Sequence, residues 1–220
     1  MTKDIKAVIF DWGGVLIDDP GPGLMEYCAR KLNVEVDDFI NSFDKLLEDY
    51  QTNSISEDKF WELISRDLNV EMPVAWPSWP CMHGLEAHAT SSEVSLWKEA
   101  FISVYKPKDE MFALVDSLRA KGYKTAILSN TEIPAMDFFI EQRYNCFDVQ
   151  VFSCKEGTRK PYKKIYDIVI EKLECLPEQA IFIDDKRPMI EGAKKANLNA
   201  IHFQSIAQVK NELIELGLEV

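Results

Sequence analysis

The stretch AVIFDWGGVLIDD, residues 7–19, runs four apolar residues into an aspartate and follows it with two glycines. An unbroken apolar run of this kind is typical of a strand that is buried on both faces of a parallel sheet. The glycines at 13 and 14 permit a tight turn directly after the strand. We therefore expect Asp11 to stand at the carboxyl end of a buried strand, the edge at which open parallel sheets bind ligands.

Apolar runs alternate with amphipathic stretches along much of the chain, which predicts an α/β fold with a doubly wound parallel sheet. Strands are predicted at 7–10, 124–129, 148–153, 180–184 and 200–203. Helices are predicted at 111–121, 133–143, 162–173, 189–196 and 206–216.

The interval between the first two predicted strands breaks this alternation, because it is long and mostly helical in pattern. Helices are predicted there at 24–32, 36–50, 57–68 and 93–105, with turn-forming residues at 18–23 and a Pro- and Trp-rich loop at 73–84. We expect residues 19–105 to form an all-helical cap domain, inserted into a core made of residues 1–18 and 106–220.

Composition restricts the possible partners. The formal net charge of −12 argues against broad nucleic-acid binding, which requires basic surface. The sequence has no apolar run long enough to span a bilayer and no leader pattern at its start, so we expect a cytoplasmic protein with no membrane partner. The cysteines are odd in number and scattered, which favours reduced thiols: Cys28, Cys81, Cys146, Cys154 and Cys175.

Four predicted strands deliver polar side chains to the same edge of the sheet. The first ends in Asp11, the second in Ser129, the third leads to Lys160, and the fourth ends in Asp184 and Asp185. Such groups suit phosphoryl transfer, because a carboxylate can attack phosphorus while a hydroxyl and an ammonium bind the phosphoryl oxygens. Carboxylates beside a phosphate also require a hard divalent cation such as Mg²⁺.

Each of these residues also has an ordinary structural explanation. Asp11 or Ser129 could cap a helix, Lys160 could be a solvated charge, and an Asp-Asp pair often begins a helix. Together, in this order at consecutive strand ends, they favour a phosphate site. His83 and His88 lie five residues apart, which does not place them on one helical face, so we do not predict that they bind a metal.

Taken together, VIFDWGGVL, LSNT, RKP and FIDDKRPMIEGA resemble the four motifs of the haloacid dehalogenase superfamily of hydrolases, and the helical insert resembles that family's cap. The resemblance implies a Rossmann-like core, a Mg²⁺ cofactor and an aspartyl-phosphate intermediate. It implies that Asp11 is the nucleophile, Lys160 its catalytic partner, and Ser129 and Asn130 the substrate-binding residues. It implies a metal site that consists of Asp11, the Gly13 carbonyl, Asp184 and Asp185.

Two positions depart from that pattern. Family phosphatases usually carry a second aspartate two residues after the nucleophile as general acid and base, and this chain has Gly13 there. General acid–base help is worth about two to four powers of ten in rate, so we expect weak turnover unless Asp18 or Asp19 replaces it. The second departure is Met189, where the family commonly has an acidic or amide side chain that steadies the metal.

We therefore expect a Mg²⁺-dependent phosphatase for a small phosphorylated metabolite such as a sugar phosphate, present as a monomer or homodimer. The alternative is a phospho-ligand-binding or partner protein without efficient turnover. Dehalogenases of the family work without a metal, which the acidic pair argues against. Several further residues could face substrate or simply pack or be exposed: Tyr50, Trp61, Trp76, Trp79, Trp97, Lys186, Arg187 and the cations of the basic run 155–164.

Overall fold

A computed structural model describes residues 4–71 and 95–220. Five parallel strands form one sheet in the order β3-β2-β1-β4-β5. Their bounds are Ala7–Phe10 (β1), Lys124–Ser129 (β2), Val149–Phe152 (β3), Ala180–Asp184 (β4) and Asn199–His202 (β5). The doubly wound, Rossmann-like α/β fold expected from the sequence is confirmed.

The helices fall into two groups along the chain. In the described parts of the chain six lie between β1 and β2, and the first five of these are Gly21–Leu32 (α1), Val36–Asp44 (α2), Leu47–Gln51 (α3), Glu57–Leu68 (α4) and Leu96–Val104 (α5). We call these five the helical insert. The remaining helices are Asp109–Ala120 (α6), Ile133–Glu141 (α7), Ser153–Glu156 (α8), Lys163–Leu173 (α9), Arg187–Lys195 (α10) and Ile206–Glu215 (α11).

The sheet separates two hydrophobic cores, because successive strand residues point to opposite faces. On one face Ala7 and Ile9 pack with apolar side chains of α9 and α10. On the other, Val8 and Phe10 pack with α6, α7, α11 and the helical insert. All four residues of β1 are 0% exposed, which explains the unbroken apolar run in the sequence.

Two differences from the sequence predictions lie in the helical insert. Helix α1 begins at Gly21, inside the stretch expected to be a turn, because Pro20 and Pro22 fit the start of a helix and Asp19 Oδ1 accepts a bond from the Gly21 N–H at 3.0 Å. The single helix expected at 36–50 is broken between Asp44 and Leu47, and this break lets α2 pack on α1 and α4 while α3 contacts α8.

The strand order reverses direction beside β1. The chain passes from β1 outward to β2 and β3, then returns to place β4 on the other side of β1. A sheet of this kind leaves a crevice at the carboxyl ends of the two strands that flank the reversal. In the described parts of the chain, no helix has the length and apolar character needed to cross a lipid bilayer.

Candidate active site

Asp11 lies directly after β1 at this crevice. Its N–H donates to the Ile183 carbonyl at 2.9 Å, which continues the pairing with β4. Its side-chain Oδ1 accepts from the Trp12 N–H at 2.7 Å and contacts Lys160 Nζ at 2.8 Å. The residue is 7% exposed, so its carboxyl group is held in one orientation with little access to water.

Lys160 bridges two carboxylates. Its Nζ lies 2.8 Å from Asp11 Oδ1 and 2.7 Å from Asp184 Oδ2, and the residue is 1% exposed. Burial opposes the charged form, but the two carboxylates outweigh it and raise the pKa of Lys160. The side chain is therefore a fixed cation at the end of β1.

The ionisation of Asp11 depends on its surroundings. Burial raises the pKa of Asp11 to about 8, the Lys160 ammonium opposes the rise, and the Asp184 carboxylate adds to it. Further positive charge at this point would favour the ionised carboxylate.

Two hydrogen-bonded supports hold the loop that follows β2. The Asn130 amide donates to the Lys160 carbonyl at 2.9 Å, and its Oδ1 accepts from the Lys160 N–H at 2.8 Å. Ser153 Oγ accepts from the Thr131 N–H at 2.9 Å. Asn130, expected to bind substrate, is thus paired with the backbone of Lys160, and both Asn130 and Ser129 line the cavity described below.

Three carboxylates could hold a cation. Asp11, Asp184 and Asp185 each offer an oxygen, and these atoms lie within 4.8 Å of one another. Both oxygens of Asp184 already accept bonds, Oδ2 from Lys160 Nζ at 2.7 Å and Oδ1 from the Lys186 N–H at 2.8 Å. Asp185 Oδ1 is buried without a hydrogen-bond partner, as expected of an atom that awaits a ligand.

The backbone beside Asp185 leaves room for its carboxyl group. Gly14 has a φ of +83°, and a Cβ built on it would lie 2.4 Å from Asp185 Cγ. Only glycine fits at this position. His202 Nε2 contacts the Asp185 carbonyl at 2.9 Å, a support that the sequence did not indicate.

Gly13 stands at the position where family phosphatases usually carry a general-acid aspartate, and two nearby aspartates could replace that acid. A Cβ on Gly13 would lie 3.1 Å from Pro20 Cδ, so the proline ring closely approaches the place of a side chain at this position. Of the two possible replacements, Asp19 lines the cavity, whereas Asp18 Oδ1 lies 4.0 Å from Lys108 Nζ. Lys108 also donates to the Gly14 carbonyl at 2.6 Å and thereby fixes the turn, a role not foreseen from the sequence.

A cavity of about 230 Å³ opens above Asp11, between the sheet and the helical insert. The core side of its wall includes Ser129, Thr131, Lys160 and Met189. Arg159 and Lys186, which could have been solvated cations, also line it. Trp97 contributes to the wall, whereas Tyr50 and Trp61 pack inside the insert; residues 76, 79, 81, 83 and 88 lie outside the described parts of the chain.

The family of haloacid dehalogenase-like hydrolases matches residues 5–197, which include every strand-end residue of the site. The chain belongs to this family. Its phosphatase relatives include a sesquiterpene phosphatase of Aspergillus oryzae, 26% identical over 98% of both chains. Acyl-CoA dehydrogenase family member 10 of Mus musculus is 27% identical over 90% of this chain, which spans only 18% of that protein.

Solved structures of the family share the fold. A haloacid dehalogenase family enzyme of Bacteroides thetaiotaomicron superposes with a TM-score of 0.74 at 18% identity, over 96% of this chain and 99% of that one. A complex of the same enzyme with magnesium and inorganic phosphate gives a TM-score of 0.69 at 19% identity, over 93% and 98% of the two chains.

Glu132 joins the core of this hydrolase to its helical insert. It stands at the start of α7, yet its carboxylate makes no bond to that helix. Instead, Oε1 accepts from Gln51 Nε2 and Oε2 accepts from Trp97 Nε1, both at 2.9 Å. Glu132 is 5% exposed, and burial raises its pKa. Nothing in the sequence indicated these contacts.

We expect Glu132 to make stability depend on pH. Because the folded-state pKa is raised above the unfolded value near 4.5, folding favours the protonated form. The contribution of Glu132 to the free energy of unfolding is greatest at pH values below the unfolded-state pKa. It is lost as pH rises through the folded-state pKa. The free energy of unfolding of the wild type, minus that of Glu132→Gln, should therefore increase as pH falls from 8 towards 5 in urea titrations.

Glu141→Gln is the matched control for this prediction. Glu141 also lies on α7 and contacts the insert, through Lys98 Nζ at 2.6 Å, but its side chain is 58% exposed. Its substitution should change the free energy of unfolding by no more than about 0.5 kcal/mol at any pH in this range. A pH-independent difference between wild type and Glu132→Gln would contradict the prediction.

Proposed function

We propose that this chain is a Mg²⁺-dependent phosphatase that hydrolyses a small phosphomonoester through a phosphorylated Asp11. The observation that carries the proposal is the buried contact of Asp11 with Lys160 at 2.8 Å, at the polar end of the cavity. The phosphatase relatives support the same chemistry.

The chain's own residues account for the first displacement. An oxygen of Asp11 attacks phosphorus, a P–O bond forms to the carboxylate, and the bond to the leaving alcohol breaks. Ser129 and backbone N–H groups of the loop after β2 suit the phosphoryl oxygens, and Lys160 neutralises charge on Asp11 and the transferring group. Water then cleaves the acyl phosphate, which releases inorganic phosphate and restores Asp11.

Asp11, Asp185 and the Gly13 carbonyl are the groups that we propose hold Mg²⁺, with Asp184 beside them. The unpartnered Asp185 Oδ1 and the all-oxygen donor set fit a hard cation. When bound, the cation neutralises the carboxylates and the phosphoryl group that they face. Asp184 additionally orients Lys160 through its 2.7 Å contact.

The leaving alcohol must take up a proton, and Gly13 supplies none. Asp19 is the acidic residue that lines the cavity near this turn. Its Oδ1 accepts from Gly21 at the start of α1, so it is held at the cavity edge. We propose that turnover is slow with poor leaving groups and faster with leaving groups that need no protonation.

We propose that residues 19–105 act as a cap over this site. Two side-chain contacts between the insert and the rest of the chain support this: Gln51 with Glu132 at 2.9 Å, and Tyr162 Oη with Glu48 Oε1 at 3.0 Å. A closed cap excludes water from the phosphoryl group. The competing function, a binding protein without turnover, draws its support from Gly13 alone.

The proposed function predicts Mg²⁺-dependent phosphate release from acetyl phosphate, whose leaving group needs no proton. Asp185→Asn should lower this release at least about a hundredfold at subsaturating Mg²⁺. Mg²⁺ should also raise the unfolding temperature of the wild type, because a ligand at 100 times its Kd stabilises by about 2.7 kcal/mol. The same titration should have little effect on Asp185→Asn.

Asp167→Asn is a suitable control, since Asp167 is exposed on α9 and pairs with Lys163 at 2.5 Å, away from the cavity. Phosphate release and the Mg²⁺ shift should both be retained in this variant. Binding of Mg²⁺ without phosphate release from acetyl phosphate would favour the binding protein instead.

A further inference from the structure

The wall that the helical insert gives to the cavity is largely apolar. Among the described residues, six side chains from four of its helices line it: Leu24, Met25, Phe43, Leu47, Trp97 and Phe101. A phosphomonoester whose phosphate lies against Asp11 would direct its leaving group towards this wall.

Most polar groups on the insert side are engaged within the protein. Gln51 Nε2 and Trp97 Nε1 both donate to Glu132, and Asp19 Oδ1 accepts from the Gly21 N–H. Gln51 Oε1 is buried and has no hydrogen-bond partner, so it is an acceptor on this side that is not engaged within the protein. On this side the leaving group therefore meets mainly hydrocarbon and aromatic surface.

Hydrogen-bonding capacity is concentrated at the opposite end. Ser129, Arg159 and Lys160 line the cavity on the core side, where the phosphate would be bound. Such a division separates an anion-binding end from an apolar end. Hydroxyl groups placed at the apolar end would lose water without gaining partners, which costs binding free energy.

The size of the cavity limits the leaving group. Its volume of about 230 Å³ is below the usual range of roughly 300–1,000 Å³ for drug-sized ligands. A phosphate with a short carbon skeleton fits this space better than a long lipid.

We propose that the substrate is the phosphomonoester of a short apolar alcohol rather than of a polyol or sugar. This inference rests on the proposed function, since it assigns the leaving group of that reaction. The sequence led us to expect a sugar phosphate instead. It did not indicate the apolar wall, because the six wall residues do not share a motif and are brought together only by the packing of the insert.

The test uses two nonhydrolysable phosphonates that match in number of heavy atoms, 3-methylbutylphosphonate and 2,3-dihydroxypropylphosphonate. Calorimetric titration of the wild-type protein with Mg²⁺ present should give at least about tenfold tighter binding of the branched alkyl compound, as one methylene can supply that discrimination. Equal affinity, or tighter binding of the diol, would overturn the inference.

A matched pair of variants tests the wall itself. Leu47 lines the cavity, whereas its neighbour Leu46 is also half-buried but lies beside a separate surface depression with Lys45 and Asp67. Leu47→Ser should lower the alkyl-to-diol affinity ratio at least about fourfold, the effect of one buried methylene, and Leu46→Ser should not. A ratio that is unchanged in Leu47→Ser would also overturn the inference.

Hydrolysis of acetyl phosphate separates this test from that of the proposed function. Its acyl group is too small to need the apolar wall, so its hydrolysis reports the chemistry at Asp11. Hydrolysis of acetyl phosphate without phosphonate discrimination would refute the substrate class alone. Discrimination without hydrolysis would refute the proposed phosphatase function and leave the apolar ligand class in place.

Discussion

Asp11→Asn should abolish phosphate release from acetyl phosphate, with a loss of at least about 10⁴-fold in kcat. The amide is close in shape to the carboxyl group but is a far weaker nucleophile, so the phosphorylated intermediate cannot form. Asp11 is 7% exposed, and its Oδ1 is held by the Trp12 N–H and by Lys160 Nζ. These contacts leave no room for a mobile side chain to replace the nucleophile. The measurement is release of inorganic phosphate under saturating Mg²⁺ and substrate.

Asp18→Asn is the control for this loss, because Asp18 is exposed, follows the same turn and does not line the cavity. It should retain kcat within about threefold, as a surface substitution away from the chemistry. Far-ultraviolet circular dichroism of Asp11→Asn should match the wild type, since Lys160 keeps its contact with Asp184. Substantial turnover by Asp11→Asn would show that water attacks phosphorus directly.

The parts of the site that the sequence predicted lie at strand ends. Asp11, Ser129 and Asp184 end or follow buried apolar runs, and parallel strands bring their carboxyl ends to one edge whatever the connecting segments do. The apolar runs predict the strands, and the parallel arrangement of the strands predicts that these three residues lie at one edge of the sheet.

The parts that the sequence did not predict depend on packing between distant segments. Glu132 receives its two bonds from residues 81 and 35 positions away, on two different helices of the insert. Lys108 reaches Gly14 across 94 positions. No local periodicity encodes such contacts, because they arise only when segments that are distant in sequence pack together.

Asn130 illustrates an intermediate case. Its place after Ser129 was predicted, but a substrate contact and a contact with the Lys160 backbone look alike in sequence. The structure pairs both ends of its amide with Lys160 at 2.8 and 2.9 Å. Asn130 thereby links the loop after β2 to the lysine that contacts Asp11.

Gly13→Asp should raise kcat for 3-methylbutyl phosphate by about 10² to 10⁴-fold, the range of a general acid, and should change kcat for acetyl phosphate little. Gly13 does not have a left-handed φ, so its backbone accepts an L side chain. The cost is local: the new Cβ would lie 3.1 Å from Pro20 Cδ, and the proline ring must move by a few tenths of an ångström.

Gly13→Ala separates the steric cost from the chemical gain, because it adds the same Cβ without an acid and should give no increase with either substrate. If Asp19 already supplies the proton, Gly13→Asp will gain less than about tenfold, while Asp19→Asn will lose activity with the alkyl phosphate selectively. An equal increase with both substrates would contradict the acid role altogether, because the acetate leaving group needs no proton. The ratio of the two rates, rather than either rate alone, therefore decides whether Gly13 limits the chemistry of this hydrolase.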